Sequence, residues 1–279
     1  MISIFLGLTS ALAWGAADFT GGLASRKTGA FRTAFYGELI GIAIIFVVAL
    51  IIPQSFPIWS NWLLAMTAGA LGTSGLLLLY HSMTKGLMSI AGPVSALLAA
   101  VLPVVVGSFT EGIPGILTWI GFAFALAAIW FISQSRAGVK DILTHISDLR
   151  LPLLAGIGFG SYFVLMHAAT RASTYWPMVA SRLGGILILV IFMTFRKESW
   201  RVNPAAIGII VLNGVLDIGG NLFFILAGQV GRLDIAAVVS SLYPGSTVLL
   251  AWIILKERLS RTQWIGIAAA LIAIVLFTL

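Results

Sequence analysis

Apolar runs of about twenty residues follow one another along the whole chain, separated by short polar stretches. A bilayer core about 30 Å thick needs about 20 apolar residues per crossing helix. Ten segments meet that length: 2–22, 33–52, 62–82, 87–109, 115–134, 151–169, 175–195, 204–228, 232–255 and 262–279. The pattern predicts an all-α membrane protein of ten transmembrane helices. Most connections are short, and the longest runs from Ser135 to Arg150 with Lys140, Asp141, His145 and Asp148. No extramembrane domain fits between these runs. The first run contains Ala11-Leu12-Ala13, which looks like a signal cleavage site. No Lys or Arg precedes it, so a permanent helix is expected.

Sliding the chain by 145 residues superimposes its halves without a gap. Thr118-Trp119-Ile120-Gly121 then meets Gln263-Trp264-Ile265-Gly266. Gly15 meets Gly160, Gly69 meets Gly214, Gly75 meets Gly220 and Gly86 meets Gly231; Ser95 meets Ser240 and Arg26 meets Arg171. Apolar residues coincide easily by chance, whereas one register recovering Trp, Gly and Arg together does not. The organisation expected is a five-span repeat over 1–134, a connector over 135–145 and a second repeat over 146–279. Five is odd, so the second repeat enters the membrane inverted. Inverted repeats suit carriers that bind at the midplane and rock between two openings.

Only 9% of the residues are charged, and 60% are hydrophobic. Soluble domains carry about 25% charged residues, so lipid must be part of the solvent. The net charge of +7 comes from cations scattered between apolar runs. That dispersal points to an anionic membrane face and not to nucleic acid. Loops after odd-numbered spans hold Arg26, Lys27, Arg32, Lys85, Arg136, Lys140, Arg150, Arg196, Lys197, Arg201, Lys256, Arg258 and Arg261; the opposite loops hold Arg171 and Arg232. The expected placement is a multi-pass protein of the plasma or inner membrane with both termini outside. Without cysteine there is no thiol nucleophile, disulfide or thiolate metal site. The three histidines have no acidic neighbours at ligand spacing, so no metal or other cofactor is expected.

Three features carry a family resemblance: Leu12-Ala13-Trp14-Gly15 in span one, Lys256-Glu257-Arg258-Leu259 leading into Gln263-Trp264-Ile265-Gly266, and the ten-span duplication. Together they resemble the EamA-type transporters of the drug/metabolite transporter superfamily over essentially the whole chain. The resemblance implies export of metabolites, amino acids or drugs, with sugar uptake in some branches. Two positions depart from the pattern. Glu111-Gly112-Ile113-Pro114 stands where the first repeat's Glu-Arg turn is expected, and the loop between spans two and three carries no charge.

Charges inside a membrane cost about 2.5–3.5 kcal/mol each at mid-helix and face the bundle interior. Asp18, Glu38, His167, Arg182 and Asp217 occupy such positions, and none is matched in kind by its partner 145 residues away. Asn213, Asp217 and Asn221 recur every four residues on one face of span eight. A carboxylate flanked by amides suits an ammonium group, hydroxyls or a proton; the competing reading is a polar ladder that joins helices. Arg182 aligns with Gly37, the neighbour of Glu38, so the two charges are expected at similar depth, as a gate, as a fixed bridge, or near helix ends with their charges snorkelling to the interface. Asp18 follows Trp14 by one turn and either lines a cavity with it or meets the inner interface. His167 is a candidate for gating or coupling, although a lone histidine is more often a satisfied packing residue. Tyr80, Tyr162 and Tyr243 are further cavity candidates. Gly92-Pro93 and Pro103 are expected to interrupt span four as Tyr243-Pro244-Gly245 interrupts span nine, with Ser95 and Ser240 just before the breaks.

These features favour a secondary transporter of a small molecule, with protons as a candidate coupling ion and a homodimer as a candidate assembly. A sugar uptake carrier and a channel or scaffold are the alternatives. The chain has no Walker motif to supply ATP drive and no nucleophile–base pair for an enzyme.

Overall fold

The computed structural model describes residues 1–84, 88–133, 149–256 and 258–279. The predicted connector, Lys85, Gly86, Glu257 and the side chain of Tyr80 lie outside the described residues. Among the described residues every regular element is helical. They form α1 (Ile2–Thr28), α2 (Ala30–Ile51), α3 (Trp59–Thr84), α4 (Met88–Thr110), α5 (Ile116–Ser133), α6 (Arg150–Ala169), α7 (Tyr175–Phe195), α8 (Ile207–Val230), α9 (Leu233–Ser240), α10 (Tyr243–Leu255) and α11 (Arg261–Thr278). Among the described residues nine helical stretches are long and apolar enough to cross a membrane, with Leu233–Leu255 counting once, and Val94–Thr110 adds a shorter apolar helix. The architecture is the expected all-α bundle of about ten spans. Large apolar side chains such as Phe5, Leu50, Phe109, Phe195 and Ile253 remain exposed on its surface, as a bilayer-facing belt requires.

Short connections have local causes. Gly29, with φ 92°, turns α1 directly into α2, a conformation that favours glycine. Lys256 ends α10 in the left-handed region. Ser260 and Gln263 form a reciprocal capping box that starts α11.

Two elements differ from the sequence-based expectation. Span nine breaks as predicted, with Ser241 and Leu242 separating α9 from α10. Span four does not break: α4 is helical from Met88 to Thr110 through both prolines. A proline removes one backbone hydrogen bond, and the turns on either side can carry the helix past it. Span one is also longer than predicted. Its helix continues to Thr28 because Ala24 is fully buried against Ala206 and Ile210.

The packing partners exchange between the halves. α1 lies on α8 as α6 lies on α3, and α5 pairs with α11. The glycines aligned by the 145-residue offset sit at these contacts. A Cβ on Gly121 would come 2.5 Å from Phe277, and one on Gly266 would come 2.7 Å from Ile132, the residue aligned with Phe277. Ser10 donates to the Gly220 carbonyl at 2.8 Å. Its aligned position, Ala155, presents its carbonyl 2.8 Å from a Cβ on Gly75, the partner of Gly220. The same pairs of positions thus meet twice, with the roles of the halves swapped.

Candidate functional site

The interior of the bundle collects its charges where α1, α2, α7 and α8 face one another. At 1.5 Å per residue, Glu38 lies about 12 Å from the start of α2, Arg182 about 10 Å from the start of α7 and Asp217 about 15 Å from the start of α8. All three therefore sit well inside the apolar layer. Arg182 is 6% exposed. Its Nη1 reaches Glu38 Oε2 at 2.9 Å and its Nη2 reaches Asp217 Oδ2 at 2.6 Å. One guanidinium thus bridges three helices through side chains alone.

Glycines make the bridge possible. A Cβ on Gly41 of α2 would lie 3.4 Å from Arg182 Nε, and one on Gly185 of α7 would lie 2.7 Å from Thr73 Oγ1 and 3.6 Å from the Glu38 carboxyl. The segment carrying Arg182 is pinned from behind, because Ser181 presents its carbonyl to Gly69 so closely that a Cβ there would come 1.8 Å from it.

The polar face of α8 divides its work. Asn221 is buried, donates to the Asp217 carbonyl at 2.7 Å and lies 3.4 Å from Asp217 Oδ2. The Tyr162 hydroxyl of α6 donates to Asn221 Oδ1, extending the network to a fourth helix. Asn213 instead donates to the Ala17 carbonyl at 2.7 Å, wedged between Gly21 and Gly37. It fastens α1 to α8.

Asp18 sits ten residues before the end of α1, about 15 Å from that helix's C-terminal end. The helix extension therefore moves it away from the interface and towards the middle of the membrane. Its side chain keeps an exposed surface. Asp217 and Tyr243 lie within electrostatic range. Trp14 is one turn before Asp18 and Gly22 one turn after, and nothing lies within 4 Å of a Cβ on Gly22. Trp14 has its ring centroid 5.6 Å from Phe163, 5.9 Å from Phe224 and 6.4 Å from Tyr243, an aromatic wall beside the carboxylate.

The remaining candidates fall elsewhere. Ser95 is buried and donates to the Gly92 carbonyl at 3.0 Å, and Ser240 donates to the Gly7 carbonyl at 3.5 Å. Both hydroxyls serve backbone within helix contacts. His167 lies two residues from the end of α6, at the mouth opposite the cation-rich loops, where its Nε2 is 3.2 Å from Glu111 Oε1.

That mouth holds a second charged cluster. Arg232 binds Asp234 through Nε at 3.1 Å and Nη2 at 2.7 Å, and donates to the carbonyls of Glu111 at 3.1 Å and Gly112 at 2.6 Å. Asp234 is fully buried and accepts from the Ile235 amide, while Glu111 Oε2 accepts from the Leu233 amide at 2.9 Å. The Asp234 carboxylate holds the Arg232 guanidinium's ionisation above its ordinary range. Beside it opens a polar cavity of about 510 Å³ lined by Gln54, His167, Thr170, Arg171, Thr174 and Gln229. The sequence pointed to His167 alone here; Glu111, Gln54 and Gln229 sit at span ends, where polar residues are ordinary and carry no motif.

Residues 149–279 match the EamA-like transporter family. An uncharacterized protein of Methanocaldococcus jannaschii is 29% identical over 122 residues, 44% of this chain and 88% of that protein. The uncharacterized transporter YwfM of Bacillus subtilis is 24% identical over 164 residues, 57% of this chain and 54% of that protein. This chain therefore aligns with about half the length of the Bacillus relative. A solved crystal structure is similar with a TM-score of 0.76 over 99% of this chain and 96% of that one, at 20% identity, a likeness of fold alone.

Proposed function

We propose that the chain carries a small molecule across the membrane by alternating access, as an exporter, because residues 149–279 match the EamA-like transporter family and the chain is a multi-pass membrane protein. The family supports transport of small molecules; the mechanism is read from the bundle. The halves are two inverted repeats, 1–134 and 146–279, joined by a connector. The exchanged contacts and the aligned glycines support that reading. Two such arrangements of nearly equal energy are what rocking requires.

The observation that carries the proposal is the Arg182 bridge. A guanidinium fixed between carboxylates on α2 and α8 couples helices from both halves at the depth where a carrier binds. Substrate enters the space beside Asp18 and Trp14, and the bridge changes partners as the helices shift. Tyr162, Asn221 and Tyr243 complete the lining. Ser95, Ser240 and Asn213 hold the helices.

The test is uptake and counterflow in proteoliposomes, across amino acids, sugars, nucleosides and organic cations, with and without a proton gradient. Saturable counterflow of one class establishes the carrier. Flux that rises linearly with concentration and shows no counterflow establishes a channel instead.

A further inference from the structure

At the cation-rich mouth the turn between α1 and α2 is fastened to the loop that joins α7 to α8. Arg32 Nη1 donates to the Arg201 carbonyl at 3.1 Å, the Tyr36 hydroxyl to the Trp200 carbonyl at 2.8 Å and the Asn203 amide to Thr28 Oγ1 at 3.4 Å. Phe31 and Phe192 lie 4.7 Å apart, with the Arg196 guanidinium 5.9 Å from the Phe192 ring. These contacts gather six cations from the two halves of the chain: Arg26, Lys27 and Arg32 with Arg196, Lys197 and Arg201. Glu198 is the one carboxylate in the two segments. Among the described residues none of these charges is in a salt bridge. Arg26, Arg196, Lys197 and Arg201 are exposed. The fold itself does not require the cluster. The positions 145 residues away are Arg171, Ala172, Pro177, Ile51, Ile52 and Phe56, so the equivalent corner of the opposite face carries one cation. A topology signal needs cations near span ends on one side. It does not need two distant loops tied together so that their like charges meet.

We propose that this patch holds the headgroup of an anionic phospholipid, with its phosphate among the guanidinium groups and its acyl chains along α7. Arginine forks bind phosphate oxygens through parallel charge-assisted hydrogen bonds, and basic pockets between spanning helices hold such headgroups. The bound phosphate also relieves the repulsion among the gathered cations. A lipid fits better than a soluble phosphate, because apolar surface continues directly from the charges. Ile191 and Phe195 lie one turn apart on α7, both exposed, and Arg196 follows Phe195 immediately. Trp200 is also exposed, with its ring 5.2 Å from Phe35, and indole rings favour the level of the headgroups. Bound there, the lipid ties α1 and α2 to α7 and α8 at one end of the bundle. Such a site needs only the membrane assignment and stands whether or not the chain is a carrier.

The test is native mass spectrometry of the full-length protein in neutral detergent, with phosphatidylglycerol as probe and phosphatidylcholine of the same acyl chains as control. Phosphatidylglycerol is expected to stay bound and to raise Tm, and phosphatidylcholine to do neither. Arg26→Gln, Arg196→Gln and Arg201→Gln together should weaken binding by at least about tenfold, since each cation near an anionic headgroup contributes roughly fivefold. Arg32 is kept, so its bond to the Arg201 carbonyl still joins the loops. The same three positions changed to lysine should retain most of the binding, which guards against a glutamine variant that fails to fold. Lys256→Gln, Arg258→Gln and Arg261→Gln remove equal charge from the loop between α10 and α11, and should leave binding within about twofold, as expected of a distant site. Equal loss in both glutamine triples would reduce the effect to overall charge and overturn the site. Equal retention of phosphatidylcholine would also overturn it. Displacement of the lipid by millimolar inorganic phosphate or glycerol phosphate would make this a soluble-phosphate site and overturn the assignment to lipid.

Discussion

Two arginines organise the charges of this bundle, and they do so in opposite ways. Arg182 works in mid-membrane and binds side chains only, on two neighbouring helices. Arg232 works at one mouth and binds Asp234 two residues along its own chain, together with two loop carbonyls. The first bond set spans elements that a carrier must move against each other. The second ties the start of α9 to the loop after α4, within one end of the molecule. A bridge between helices can change partners during a cycle, whereas a bridge within a terminus holds the terminus together. The difference is also one of solvent. Arg182 has a side chain 8% exposed, against 29% for Arg232, so the inner guanidinium feels a lower dielectric and its loss leaves two carboxylates without their cation.

The largest effect is expected from Arg182→Met. It leaves Glu38 and Asp217 facing each other without their cation, at a cost of about 3–5 kcal/mol for a broken buried pair. Thermal unfolding in detergent measures this as a marked fall in Tm, and counterflow should be lost. Adding Glu38→Gln and Asp217→Asn removes the orphaned charges. Stability should then return while transport stays absent. Recovery of both would reduce the bridge to a structural device. Next comes Gly69→Ala, whose Cβ would overlap the Ser181 carbonyl and must push α7 away from α3. Overpacking of this kind costs about 1–3 kcal/mol. Flux should fall more than Tm suggests, because the displaced segment carries Arg182. Unchanged flux in a destabilised Gly69→Ala protein would show that the exact seat of Arg182 does not matter.

The inner bridge was partly legible in the sequence and the outer one was not, for a physical reason. Charges in apolar runs stand out, so Glu38, Arg182, Asp217 and Asp18 were identifiable, and the 145-residue offset placed Arg182 beside Glu38. Which charge would face which was set by packing. Asn213 shares a face with Asp217 by periodicity, yet the close approach of Gly21 and Gly37 turns it to the Ala17 carbonyl. The depth of Asp18 depended on where α1 ends. Ser25, Arg26 and Lys27 read as loop, and burial of Ala24 keeps them helical. Pro93 and Pro103 signalled a break that α4 absorbs, whereas Pro244 follows the real interruption before α10. Glu111 and His167 are 56 residues apart with no motif between them, so their contact emerges only when the loop after α4 closes over α6.

The smallest effect is expected from Arg232→Gln, and it is the sharpest test of the division between the arginines. Removing the guanidinium leaves the fully buried Asp234 carboxylate with the Ile235 amide as its remaining hydrogen-bond donor among the described residues. Glutamine can restore part of that bonding, so the cost should be at most about 1–3 kcal/mol, the usual penalty for an under-satisfied buried group. The Glu111 carboxylate keeps both the Leu233 amide and His167, so the mouth stays closed by a second route. Counterflow per folded molecule should therefore stay within about twofold of the parent, by the same reasoning that such a local loss remains local. A small fall in Tm with normal flux would assign Arg232 to the scaffold. Flux lost at normal Tm would instead make this mouth a gate, with the 510 Å³ cavity beside it as the vestibule that the gate controls.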